Sequence, residues 1–82
     1  MNHMSITDFL KSFSEVVEEA SEMTVENVLT ADTKYKELSS WGSLAAVMTI
    51  VMVEEQFEKE ITTDDLEACD TLGDLYNLIQ AL

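Results

Sequence analysis

The chain has 82 residues, enough for one domain around a single core and too few for a second domain or a deep enclosed active site. Its 17 acidic residues face 4 basic ones, all lysine, for a net charge of −13. That balance argues against nucleic-acid binding and against attraction to anionic membranes, and it favours partners with basic patches. A hydrophobic share of 46% with no proline and 2 glycines favours a folded, helical chain.

The opening MNHM has the form of an expression remnant ahead of a natural start at Met4, and His3 is given no chemical role. The N-terminus lacks the basic-then-apolar pattern of a signal peptide. The first periodic segment is ITDFLKSFSEVVEEASE, with Phe9, Phe13, Val16, Val17 and Ala20 on one face and Lys11, Glu15, Glu18, Glu19 and Glu22 on the other. It predicts an amphipathic helix capped near Ser5 or Thr7. From Met23 to Ser40 the period is lost, and a long ordered connection is expected, pinned by Val28, Leu29, Tyr35 and Leu38.

The second strong helix is expected from about Gly42 to Phe57 or Glu58, with two apolar stripes. Ala46, Ile50, Val53 and Phe57 are expected to face the core. Leu44, Val47, Met48 and Val51 lie on another side, in line with Ser43 and Glu55. Such a helix is either the central member of a bundle or a core helix with a sticky outer face. Next, TTDDLEAC predicts a short helix with Thr62 or Thr63 as N-cap and acids in its first turn. In TLGDLYNLIQAL the residues Leu72, Leu75, Tyr76, Ile79 and Leu82 make a final amphipathic helix. The expectation is an all-α, small four-helix bundle of three main helices and one short one, a single domain spanning residues 1–82.

Catalysis is hard to assemble from these residues. The lone cysteine, Cys69, can form no internal disulfide and has no histidine partner, so it is read as a small buried residue. The pairs Glu54–Glu55 and Asp64–Asp65 are consecutive and diverge on a helix, which makes them solvated faces. The calcium-loop pattern is absent: Gly73 would need acids or amides at positions 68, 70 and 72, and only Asp70 qualifies. Zinc lacks ligands. The longest apolar run, Leu44 to Val53 broken only by Thr49, is too short to cross a bilayer, so no membrane insertion is expected. A reducing, cytoplasmic setting is expected, with no enzyme activity.

In SSWGSL, residues 39–44, Ser43 stands in the first turn of the second helix, where unpaired amides and the positive dipole end favour phosphate. By spacing alone, an ordinary early-helix serine is the better reading.

The stretches SSWGSL, LAAVMTIVMVEEQFEKEIT and TLGDLYNLI together resemble the acyl carrier protein family, over about Ile6 to Leu82. In that family an Asp-Ser-Leu triplet opens the second helix of a four-helix bundle, and its serine carries a 4′-phosphopantetheine arm. Ser43 and Leu44 match the last two positions, and a tryptophan ahead of the triplet, as at Trp41, occurs in some bacterial carriers. Gly42 departs from the pattern, standing where the family has aspartate.

The resemblance implies attachment of 4′-phosphopantetheine to Ser43 by a phosphopantetheinyl transferase using coenzyme A. It also gives the outer stripe Leu44, Val47, Met48 and Val51 a use as a contact surface for acyl-transferring or condensing enzymes. Glu54, Glu55, Glu58, Asp64, Asp65 and Glu67 would form the acidic rim that steers their basic docking patches. The core stripe would line a space where an acyl chain shelters. A monomer is expected, shuttling acyl thioesters between enzymes of lipid or secondary-metabolite biosynthesis. The competing reading is a carrier-like helical adaptor that is never loaded and only binds partner proteins.

Self-repulsion at −13 acts against a core this small, so the melting temperature is expected to rise as ionic strength or divalent cation rises. Thermal unfolding across a salt series checks this, and a flat response refutes it.

Overall fold

The computed structural model describes residues 5–21 and 29–82. Among them are four α-helices: α1 (Ile6–Ser21), α2 (Ser43–Phe57), α3 (Thr63–Ala68) and α4 (Leu72–Ala81), with a 3-10 turn at Tyr35–Glu37 between α1 and α2. No strand occurs among the described residues. Three longer helices and one short one pack as the expected all-α bundle. Glu22, Val28 and His3 lie outside the described residues.

Ser5 starts α1: its hydroxyl accepts the Asp8 amide at 3.2 Å and donates to the Asp8 carboxylate at 3.1 Å. Phe9, Phe13 and Val17, spaced four apart, are buried, while Val16 and Ala20 lie half-buried on the margins. Each fully buried side chain of this size contributes about 1.5–3 kcal/mol by leaving water. The two phenylalanines anchor an aromatic cluster. Phe9 meets Phe57 edge-on at 5.9 Å, and Phe13 meets Tyr35 edge-on at 5.8 Å.

In α2 the inward stripe is turned from the expected one. Ala45, Thr49, Met52, Val53 and Phe57 are buried, whereas Ala46 and Ile50 are half-buried on the flank. Thr49 sits fully buried because its hydroxyl donates to the Ala45 carbonyl at 2.7 Å, which satisfies the one polar group that would otherwise penalise that face. The helix stops at Glu58, whose amide still donates to the Glu54 carbonyl at 3.1 Å while its left-handed backbone (φ 58°) turns the chain out of the helix.

The last two helices begin with reciprocal capping boxes. Thr62 accepts from the Asp65 amide while the Asp65 carboxylate accepts from the Thr62 amide, and Thr71 and Asp74 repeat the arrangement. The Thr71 amide and hydroxyl hold the Asp74 carboxyl below the usual carboxylate range. Leu72, Leu75 and Ile79 are buried and Tyr76 is half-buried, as their spacing predicts. Leu82 is not part of the core: it is the C-cap residue just beyond α4 and is 58% exposed.

The described part of the segment before α2, residues 29–42, has no periodic pattern, yet it is tied down at several points. The carbonyls of Ala31 and Thr33 accept the first amides of α4, from Gly73 at 2.8 Å and Leu72 at 2.9 Å. At Gly73 an added Cβ would lie 3.0 Å from the Ala31 carbonyl oxygen, so the close approach favours glycine and any side chain would have to push the Ala31 backbone back. Leu29 and Tyr35 are buried and Leu38 is half-buried. The Tyr35 hydroxyl donates to the backbone carbonyls of Leu66 and Cys69, and the Lys36 ammonium donates to that of Glu67 at 2.6 Å. The C-terminal carbonyls of α3 are thereby satisfied by side chains from the long connection. Burial, reinforced by the acids around it, pushes the Tyr35 phenol well above its ordinary range, so it stays a donor.

Tyr35→Phe keeps the ring contacts and leaves these buried carbonyls without their donor. A loss of about 1–3 kcal/mol is expected, read as a lower midpoint in chemical denaturation. An unchanged midpoint would show that the hydroxyl anchors nothing.

Candidate functional site

Ser43 is the first residue of α2 and is exposed. Its position is set from behind. Trp41 stacks on Phe13 with ring centroids 5.8 Å apart and planes 18° from parallel, and it meets Tyr35 edge-on at 5.1 Å. The Trp41 amide donates to the Leu38 carbonyl at 3.0 Å. Trp41 therefore belongs to the core and loop packing. Two residues later the chain enters α2, and the Ala46 amide closes the first turn on the Gly42 carbonyl at 2.9 Å.

Gly42 is the N-cap, with extended backbone at φ −168° and ψ −172°. No side chain caps α2 and no acid lies in its first turn, in contrast to the side-chain caps of α1, α3 and α4. The positive end of the longest apolar helix is thus left open beside the Ser43 hydroxyl, an environment that stabilises a phosphate ester. A Cβ built at Gly42 meets nothing within 4 Å. Neither the backbone nor the packing requires glycine there.

Beside Ser43 lies a cleft of about 360 Å³ between α2 and α3. Ala46 and Val47 line one wall, Thr63 and Glu67 the other, and the buried Leu66 forms part of the floor. Trp41, Gly42 and Ser43 complete its lining. Its inner wall uses Ala46, which the sequence reading assigned to the core. Leu66 is not marked by its local sequence, and Thr63 stands out there only as the alternative N-cap of α3, a role that Thr62 takes, because the cleft exists only through the relative placement of two helices. A small residue one turn below Ser43 was the available signal.

The outer stripe is open to solvent over most of its length. Leu44 is 58% exposed, Val47 53% and Val51 47%, while Met48 is half-buried. Glu54, Glu55, Glu58, Asp64 and Glu67 are exposed, around and below the stripe. Asp65 is half-buried and already engaged in its own helix cap, so it is the least available of the acids named for partner contact.

Cys69 does not line the cleft. Cys69 is a buried free thiol, and burial first and then the charges of Asp74 and Asp65 push it up from its ordinary range. Among the described residues no group of histidine, cysteine and acidic side chains is placed to hold a metal ion. No helix among them is long and apolar enough to cross a membrane.

No curated protein and no solved structure matches the chain. The family model described as the phosphopantetheine attachment site matches residues 11–79, a span that includes all of α2, α3 and the cleft between them. With most of its length matched, the chain belongs to the phosphopantetheine-attachment family, non-catalytic helical carriers that bear a covalent 4′-phosphopantetheine group.

Proposed function

We propose that the protein carries acyl groups on a 4′-phosphopantetheine arm attached to Ser43 and delivers them between enzymes of lipid or secondary-metabolite biosynthesis in the cytoplasm. The observation that carries this reading is an exposed serine hydroxyl at the uncapped start of α2, beside an apolar-floored cleft, within the span matched by the family. These residues fit the group. The open helix end suits its phosphate, and the cleft can receive the arm or the chain it bears.

Attachment forms a bond from the Ser43 Oγ to the phosphorus of the phosphopantetheine moiety of coenzyme A. The phosphoanhydride bond breaks, adenosine 3′,5′-bisphosphate leaves, and the hydroxyl proton passes to base or solvent. When bound, the group supplies a terminal thiol that holds acyl chains as thioesters. The protein's own residues bind and position. Trp41 fixes the start of α2, the first-turn amides of α2 stabilise the phosphate, and Ala46, Val47 and Leu66 offer apolar shelter. A short flexible tether raises the local concentration of the thioester to roughly millimolar in each partner active site.

Leu44, Val47, Met48 and Val51 supply the contact surface for those partners, together with the phosphopantetheinyl transferase. Methionine suits a face that meets several of them, because it repacks easily. Glu54, Glu55, Glu58, Asp64 and Glu67 supply long-range attraction to basic docking patches, with a smaller part for Asp65.

One observation favours the competing adaptor. Gly42 lacks the carboxylate that the family pattern places next to the serine, and that carboxylate is suited to docking the transferase or its metal. An adaptor would keep the stripe and the rim but never receive the arm.

Incubation with coenzyme A and a broad-specificity transferase decides between them. Intact mass is expected to rise by one phosphopantetheinyl group, and the increase is expected to vanish in Ser43→Ala. No increase under conditions that load a control carrier favours the adaptor.

Gly42→Asp is expected to load faster than the parent chain while changing stability by only a few tenths of a kcal/mol, roughly 1–2 °C in melting temperature. An unchanged loading rate would remove Gly42 as the limiting position.

A further inference from the structure

A second groove, of about 370 Å³, runs between α1 and α2. Val16 of α1 and Met48, Val51 and Met52 of α2 line it. Met52 is buried, Val16 and Met48 are half-buried, and Val51 is 47% exposed, so the floor is apolar and open from above. Three exposed carboxylates stand along its sides, Glu15 and Glu19 from α1 and Glu55 from α2. Among the described residues no lysine lines it. At one end the Ser12 hydroxyl donates to the Gln56 side-chain carbonyl at 2.8 Å, tying the two helices together.

We propose that this groove is a docking site for a partner helix that is apolar on one face and flanked by lysine or arginine. The apolar floor between acidic sides is complementary in both respects to such a helix. From Ser12 to Glu19 the α1 wall rises about 10 Å, the length of two helical turns, which suits two or three apolar side chains of the partner. A second copy of this chain is a poor occupant, since each copy would bring its own acidic walls and a charge of −13. The groove shares Met48 and Val51 with the outer stripe of α2, so a partner seated here extends from that stripe onto α1. Nothing in this arrangement needs Ser43 to be loaded. The site is expected in the unmodified and the modified protein alike, and its test stands apart from that of the carrier reading.

The probe is a synthetic 18-residue amphipathic helix of leucine and lysine, titrated at physiological salt into the isotope-labelled, unloaded full chain. Amide shifts are expected to centre on residues 12–19 and 48–56. Glu15→Lys with Glu19→Lys is expected to weaken binding about tenfold, and Val51→Ser several-fold, with helical circular dichroism retained because all three positions are exposed. A matched reversal on the connection before α2, Asp32→Lys with Glu37→Lys, is expected to change affinity by less than about twofold, since both acids are exposed and line neither groove.

Absence of binding overturns the proposal. So do shifts confined to the α2–α3 cleft, or equal weakening by the two double variants, which would mean general charge attraction. Sedimentation of the chain alone gives the other occupant its chance: a dimer broken by Val51→Ser would assign the groove to a second copy and overturn the proposal.

Discussion

The stacking of Trp41 on Phe13, with Tyr35 set edge-on against both, is the contact on which the site depends. It joins the middle of α1, the long connection and the residue two positions before Ser43. The same Tyr35 reaches α3 through its hydroxyl, and Lys36 reaches it through its ammonium. One short run of the connection therefore fixes both walls of the cleft beside Ser43. Aromatic rings suit this task because they bury a large area while losing few side-chain rotations.

Helix ends divide the labour in a way that composition alone does not suggest. Side chains cap the starts of α1, α3 and α4, and the last carbonyls of α3 are held by Tyr35 and Lys36. A lysine also serves the C-terminal part of α4, where Lys59 donates to the Ile79 carbonyl at 3.1 Å. Only the start of α2 carries no side-chain cap among these four helices. In a chain with so many acids, an open positive end cannot be explained by a shortage of carboxylates. It is a local choice of glycine, at a position where the backbone accepts other residues and open space awaits a Cβ.

Much of this was legible in the sequence, and the parts that were not share a physical cause. Phe9, Phe13 and Val17 stand out because polar residues surround them, so the period is unmistakable. In α2 nearly every residue from Leu44 to Val53 is apolar, and a helix with little contrast between its sides does not declare which side is inward. Thr49 supplied the misleading contrast. It reads as a polar interruption of the core, whereas its back-bond to Ala45 makes it part of the core. Tyr35 was recognised as an anchor, but its partners lie 31 and 34 residues away, beyond the reach of local pattern. Ser43 could be placed at a helix start from its neighbours; the cleft beside it could not, because α3 and α2 define it only together.

Exposure along α2 follows from the same geometry. The helix turns Ala45, Thr49 and Met52 inward, so its remaining apolar residues must go elsewhere. Ala46 and Val47 line the cleft towards α3, Met48 and Val51 line the groove towards α1, and Leu44 stands in solvent. Left uncovered, a stripe of this kind promotes association. In this chain the exposed carboxylates of Glu54, Glu55 and Glu58 close the lower end of the helix, and the overall charge makes every like-charged neighbour a costly one. Under the proposed function the acids would protect the stripe from self-association while leaving it available to basic surfaces. Hydrophobic contact would then supply affinity, and charge would select which surfaces come close enough to make it.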